Sequence, residues 1–193
     1  MLIAFEGLDQ SGKETQARRS RDRLRAAGQK ARLVSFPDYG TSIGEEIARA
    51  LTGEREYGAD VMQLLYVANR YERKPDIDRW LTAGLTLLCD RYVASSLAYG
   101  EALGLDVAWL VDMQKYLPQP DLTVFLDIAP ETAVERKAAG RDRFERDRAL
   151  QAAVRESYLQ LAAQPGWVRV DGERPADVVE ADVAEILSSQ LPP

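Results

Sequence analysis

The chain is predicted to be α/β, with a parallel sheet covered by helices on both faces. Three observations support this. Segments with strand character alternate with helical segments from one end to the other. Leu85–Cys89 and Leu122–Leu126 are short, near-continuous apolar runs, as strands buried on both faces require. The first run, Leu2–Glu6, leads through a glycine-bounded loop directly into a helix.

In order, Leu2–Glu6 is the first strand, and Lys13–Ala27 a charged helix closed by Gly28. Ala31–Phe36 is the second strand, stopped by Pro37. Ile43–Leu51 is a helix with Ser42 as its N-cap and Gly53 as its stop. Ala59–Tyr71 has Val61, Leu64, Leu65 and Ala68 at helical spacing, and Asp76–Ala83 is a separate, shorter helix ending at Gly84. Leu85–Cys89 follows as a strand, then helices Ala94–Leu103 and Val107–Tyr116. Leu122–Leu126 is the fourth strand. Helices Pro130–Ala139 and Glu145–Ala163 flank the basic stretch Gly140-Arg141-Asp142-Arg143. Val168–Val170 is the last strand and Ala176–Leu187 the last helix. At 193 residues, with no repeat or linker, a single domain over 1–193 is expected.

Composition excludes several chemistries. There is no histidine, so neither a histidine-based triad nor an imidazole metal ligand is possible. One cysteine, Cys89, allows neither an internal disulfide nor a cysteine zinc cage. The net charge of -6 argues against a nucleic-acid binder. The N-terminus lacks the basic and apolar regions of a secretory signal, and no apolar run approaches a membrane span. A reducing, cytoplasmic location is therefore expected, with no membrane partner. Of the 25 basic residues only Lys13, Lys30, Lys74, Lys115 and Lys137 are lysine. Arginine forks grip phosphate bidentately, so anions would be held by placed side chains rather than by the overall field.

The strongest motif is Gly7-Leu8-Asp9-Gln10-Ser11-Gly12-Lys13, followed by Glu14 and Thr15. It fits G-x-x-x-x-G-K after a strand and before a helix. Gly7 and Gly12 free backbone N–H groups to turn around phosphate oxygens, the helix start adds its positive dipole end, and Lys13 adds a charge. The whole segment from Gly7 to Thr15 is thus the candidate ATP-binding loop. The residue after the lysine is usually a hydroxyl that ligates Mg²⁺. Here it is Glu14, which suits either a metal ligand or a solvated acid at a helix start. Asp90 and Arg91 end a buried strand, where open parallel sheets place their ligands. Asp90 can orient Mg²⁺ and Arg91 can touch phosphate, or the two can form a structural ion pair. Tyr66 and Arg70, four apart, share a helix face. They can read a base together, or they can be a core ring and a surface cation.

Glu6-Gly7-Leu8-Asp9 with Gly12-Lys13, Phe36-Pro37, Asn69-Arg70, Asp90-Arg91-Tyr92 and Pro120-Asp121-Leu122 resemble, in order and spacing, the thymidylate kinase family. The resemblance implies a three-layer P-loop nucleotide kinase fold with a five-stranded parallel sheet and a short arginine-rich lid at about 136–148. It implies phosphoryl transfer from ATP to dTMP with Mg²⁺, and a homodimer. It places Asp9 near the acceptor sugar, Phe36 and Pro37 in the acceptor wall, and Tyr39 near the acceptor phosphate. It assigns Tyr66 to stacking on thymine, Arg70 to its O4, Ser95 and Ser96 to the other base edge, Tyr99 to the sugar and Glu145 to a lid carboxylate. With Gln10 in the loop instead of a basic residue, Arg141 or Arg143 is expected to supply the catalytic charge, with Arg136 a lesser candidate. Lys13, Asp9 and Arg91 complete the catalytic set. The competing readings are a related nucleoside monophosphate or deoxynucleoside kinase, and a nucleotide-binding regulator that has lost turnover.

Overall fold

A computed structural model of the chain describes residues 1–136 and 147–190. Five parallel strands form one sheet in the order β2-β3-β1-β4-β5. They are β1 (Leu2–Glu6), β2 (Ala31–Ser35), β3 (Thr86–Asp90), β4 (Leu122–Asp127) and β5 (Trp167–Asp171). The connecting helices are α1 (Lys13–Ala26), α2 (Ser42–Thr52), α3 (Ala59–Thr82), α4 (Val93–Ala102) and α5 (Val107–Met113). They continue with α6 (Pro130–Arg136), α7 (Arg148–Leu161) and α8 (Ala176–Gln190).

Alternation along β1 builds the layers. Ile3 and Phe5 pack into a core with Ala17 and Leu24 of α1 and with Val179, Val183 and Leu187 of α8. Leu2 and Ala4 face the other way, toward Ile77 of α3 and Val93 of α4. On that second face Phe125 joins Val154 and Tyr158 of α7, its ring stacked on Tyr158 at 5.4 Å. β1 and β4 are buried throughout, while β2 and β5, at the edges, are only partly covered. That burial explains the continuous apolar runs of the central strands.

Several boundaries differ from the sequence reading. The predicted break between Tyr71 and Asp76 is absent, and α3 runs unbroken through Pro75. Pro75 removes one helical N–H, a cost of about 3 kcal/mol. Tyr71, Ile77, Trp80 and Leu81 pack on the sheet from both sides of it, and their burial offsets that loss. The N-cap of α2 is Thr41, not Ser42: the Thr41 hydroxyl accepts from the Gly44 N–H at 3.0 Å. Helix α5 stops at Met113 instead of Tyr116. Helix α7 is described from Arg148, where the Asp147 carboxylate caps it by accepting from the Leu150 N–H at 3.0 Å, and the expected start at Glu145 lies outside the described residues.

One buried carboxylate ties the layers together at the strand ends. Glu6, the last residue of β1, is fully buried. It accepts from the Tyr92 N–H at 2.7 Å and the Ser95 N–H at 3.3 Å, both at the start of α4. It also accepts from the Ser95 hydroxyl at 2.7 Å and the Tyr158 hydroxyl of α7 at 2.8 Å. Four donors, two of them at a helix N-terminus, replace water for this charge. Glu6→Leu removes the acceptor of all four, leaving the Ser95 and Tyr158 hydroxyls only each other at 3.0 Å, and is expected to cost about 3 kcal/mol or more, with Glu6→Gln costing less. A urea midpoint for Glu6→Leu equal to wild type would show that the carboxylate anchors nothing.

Candidate active site

The carboxyl ends of β1 and β3 lie side by side, with Phe5 in register with Asp90. The loop leaving β1 opens at Gly7, whose φ of 140° is a conformation that only glycine adopts freely. A Cβ there would also sit 2.4 Å from the Leu126 carbonyl oxygen. Gly12, left-handed at φ 94°, turns the chain into α1. Lys13 is almost fully buried, and its ammonium donates to the Leu8 carbonyl at 2.6 Å. Burial brings the Lys13 pKa down to about 8, with Arg91 adding to the fall and Asp9, Asp90 and Glu6 opposing it. The Leu8 side chain packs in the core with Phe125 and Ile128, so only its backbone serves the loop. The Ser11 hydroxyl oxygen is buried without a hydrogen-bond partner among the described residues.

Arg91 is also left-handed, at φ 63°, a strained conformation for an arginine. The turn sends its guanidinium back across the strand ends. It donates to Asp9 at 2.6 Å, to the Ser95 hydroxyl at 3.2 Å and to the Gly7 carbonyl at 3.3 Å. It lies 5.5 Å from the centre of the Tyr99 ring, and the Tyr99 hydroxyl donates to Asp9 at 3.1 Å. Burial opposes the Asp9 charge, but Arg91 and Lys13 outweigh it and hold the carboxyl well below the usual carboxylate range. Glu6, Ser95, Arg91, Asp9 and Tyr99 thus form one continuous network.

Beside this network lies a cavity of about 690 Å³, counted to its open mouth. Asp9, Phe36, Pro37, Tyr39 and Tyr66 line it, as do Arg70, Arg91, Ser95, Ser96 and Tyr99. Every described residue that the sequence reading placed at the acceptor is therefore in one chamber. Arg70 is 2% exposed and hydrogen-bonded to the Ser96 hydroxyl. Burial brings its pKa down to about 10. The alternative of a surface cation is thereby corrected: Arg70 is an interior guanidinium. Leu51, Gln63 and Leu103 also line the cavity and were missed. Gln63 stands three residues before Tyr66 and seven before Arg70, a spacing that could have revealed it.

The fully buried asparagine of the Asn69-Arg70 pair, to which the sequence reading gave no role, holds the wall. Asn69 accepts from the Asp38 N–H at 2.7 Å and donates to the Asp38 carbonyl at 3.2 Å and to the Thr41 hydroxyl at 2.8 Å. Arg73 binds the Asp38 carboxylate at 2.6 Å. Two consecutive turns of α3 therefore pin the loop that carries Tyr39.

A second, more open space of about 1150 Å³ lies on the other side of the phosphate loop. Gln10, Ser11, Gly12, Lys13, Glu14 and Thr15 form one wall. Arg136 and the segment 172–176 after β5 form the other. Arg136 joins the two by donating to the Gln10 carbonyl at 3.2 Å and the Gly172 carbonyl at 2.9 Å. The sequence reading missed segment 172–176, although it follows the carboxyl end of a parallel strand.

For a divalent cation the donor set fits. Burial pushes the Asp90 carboxyl up, against the pull of Lys13 and Arg91. Its Oδ1 is buried without a hydrogen-bond partner among the described residues. An oxygen left bare beside a phosphate loop matches the one or two carboxylates with which Mg²⁺ is usually held, the rest being water and phosphate. No group of three acidic or cysteine side chains that could hold a metal without such help occurs among the described residues. Glu14 is exposed in the first turn of α1. Arg141, Arg143 and Glu145 lie outside the described residues.

The family model described as thymidylate kinase matches residues 5–183. The thymidylate kinase of Arabidopsis thaliana is 34% identical over 190 residues, covering 98% of this chain and 72% of that protein. The thymidylate kinase of Homo sapiens is 34% identical over 185 residues, covering 94% and 87%. The solved structure of the Candida albicans thymidylate kinase superposes with a TM-score of 0.87 at 32% identity, over 98% of this chain and 91% of that one. With the phosphate loop, the strand order and the cavity in place, the match over nearly the whole length leaves one conclusion: this chain belongs to the thymidylate kinase family.

Proposed function

We propose that the protein transfers the γ-phosphoryl group of ATP to dTMP, giving ADP and dTDP. The observation that supports this is one cavity, abutting the phosphate loop, that is lined by ten of the eleven residues expected at the acceptor, the eleventh, Glu145, lying outside the described residues. dTMP lies in that cavity, with thymine stacked on Tyr66 and its O4 facing Arg70. Phe36 and Pro37 form the wall, Ser95 and Ser96 meet the other base edge, and Asp9 and Tyr99 hold the sugar. Tyr39 and Arg91 meet the phosphate. ATP lies on the far side of the loop, its phosphates cradled by the backbone from Gly7 to Thr15 and by Lys13.

A dTMP phosphate oxygen attacks the γ-phosphorus, a new P–O bond forms, and the bond to the β-phosphate oxygen breaks as ADP leaves. The acceptor is already an anion at neutral pH, so no general base is needed. Catalysis is alignment and charge neutralisation, which a chain without histidine can supply. Lys13 and Arg91 provide fixed positive charge on opposite sides of the transferred group, and Asp9 orients Arg91. Arg141 or Arg143, from a lid at about 136–148, adds the charge that Gln10 does not. Asp90, with Glu14 through water, is the ligand set for Mg²⁺, which would neutralise phosphate charge when bound.

We also infer a single domain that pairs into a homodimer. Helices α3 and α5 pack together, and each leaves valine or leucine on the surface: Val61, Leu64, Val107 and Val111 are 37–51% exposed. A cytoplasmic location suits a chain whose only cysteine is free and buried, and cell fractionation checks it.

ADP release from Mg-ATP should be fast with dTMP and slow with dCMP, dGMP, AMP or thymidine. Faster turnover of one of those would overturn the acceptor. In that assay Arg70→Ala should raise the dTMP KM about ten- to a hundred-fold with little change in the ATP KM. Arg141→Ala with Arg143→Ala should instead lower kcat on the order of a hundred-fold. An unaffected kcat in the double variant would place the catalytic charge elsewhere. Because Lys13 loses its proton near pH 8 in the free enzyme, phosphate binding should draw the proton back. Titrating a non-hydrolysable ATP analogue near that pH, in two buffers of different ionisation enthalpy, should show proton uptake. Affinity should also fall as pH rises further. No uptake would remove Lys13 from the phosphates. Sedimentation of the wild type should give a dimer, and Leu64→Glu with Val111→Glu a monomer. A monomeric wild type at micromolar concentration would refute the pairing.

A further inference from the structure

Two buried polar atoms in the acceptor cavity have no hydrogen-bond partner among the described residues: Nε of Arg70 and Oε1 of Gln63. Both side chains are 2% exposed and both line the cavity. They stand seven residues apart on α3, with Tyr66 between them. One helix face therefore brings an acceptor, a ring and a donor to the same chamber. Leaving a buried polar atom unpaired costs about 1–3 kcal/mol. Two such atoms of opposite polarity in one cavity mark a ligand edge that carries both an acceptor and a donor.

We propose that Gln63 is a specificity-determining residue of this site, its amide oxygen accepting the N3–H of the acceptor base while Arg70 donates to the adjacent O4. The inference rests on the reading of the cavity as the dTMP site and assigns a residue that reading leaves idle. Thymine carries two edge acceptors, O2 and O4, and a single edge donor, N3–H. Of thymine's edge groups, N3–H alone can satisfy an unpaired acceptor in the chamber. An unpaired guanidinium N–H can be satisfied only by an oxygen, and O4 is next to N3. Ser96 already takes one Arg70 donor, so the guanidinium is held in place while its Nε remains for the ligand.

The pair also explains rejection. Cytosine inverts the pattern, with an acceptor at N3 and an amino donor at C4. In this chamber its amino group would set donor against donor at Arg70, and its N3 would face the Gln63 amide oxygen in the orientation that thymine uses. A site built to pair a polar edge penalises the mismatched edge heavily, because its own buried groups then stay unpaired. An apolar side chain at position 63 would pack the chamber equally well and would lose this discrimination.

The test is Gln63→Met, which keeps an unbranched side chain of similar length and removes the amide. dTMP and 5-methyl-dCMP are compared as acceptors, since both carry the methyl group and differ only at the edge in question. The variant should raise the dTMP KM about tenfold, leave the ATP KM unchanged, and lower the kcat/KM preference for dTMP over 5-methyl-dCMP at least tenfold. An unchanged preference overturns the inference, even if the dTMP KM rises, because a packing role weakens both acceptors alike. Gln63→Leu, with its thermal midpoint measured, repeats the comparison so that repacking by methionine does not decide the result. A wild type that fails to phosphorylate dTMP would sink the functional reading itself. A wild type that does so, with the preference intact in both variants, sinks only the role of Gln63.

Discussion

A single buried negative charge, Glu6, sets much of the architecture around the site. A carboxylate carried into the interior at the end of β1 must find donors or force the strand end open. Its four donors come from the turn after β3, from α4 and from α7. The requirement to satisfy Glu6 therefore brings together elements that are distant in sequence. Ser95, held by Glu6, also accepts from Arg91. The orientation of the functional guanidinium is thus inherited from the core. Strain at the left-handed Arg91 is tolerated because Asp9, Ser95 and the Gly7 carbonyl all fix its side chain.

The electrostatics follow from placement and not from net charge. The chain is acidic overall, yet Lys13 and Arg91 at the strand ends and Arg70 across the cavity from Arg91 are largely removed from water. Burial depresses the proton affinity of Lys13 and Arg70, because no carboxylate binds either directly. Arg91, paired with Asp9, goes the other way. Two cations short of full compensation and one paired with a carboxylate leave uncompensated positive charge in the interior. Asp90 is the negative counterpart, a carboxylate with a bare oxygen where a hard cation would restore balance.

Local chemistry made the fold class and the phosphate loop legible, and the family resemblance, not local pattern, named the residues that line the cavity. Strand alternation, the two apolar runs and the spacing of Gly7, Gly12 and Lys13 are local signals, and the five strands and the loop into α1 are where they put them. The failures lie where a distant partner overrides a local preference. Pro75 reads as a helix stop, yet the sheet beneath α3 makes continuation worthwhile. Thr41 and Ser42 are equivalent caps until the Asn69 amide fixes the Thr41 hydroxyl.

The sequence by itself determined that this is a parallel α/β protein with a phosphate loop at the end of its first strand. Continuous apolar runs, helical spacing, glycine placement and a lysine at a helix start are written in neighbouring residues. Tertiary structure alone decided that Tyr66 and Arg70 face the same chamber as Asp9, Phe36 and Arg91, that Gln63 joins them, and that segment 172–176 walls the nucleotide side. It also decided that Arg70 is an interior charge and not a surface one. Those outcomes depend on which side chains lose water together, and desolvation is a property of the packed assembly rather than of any stretch of chain.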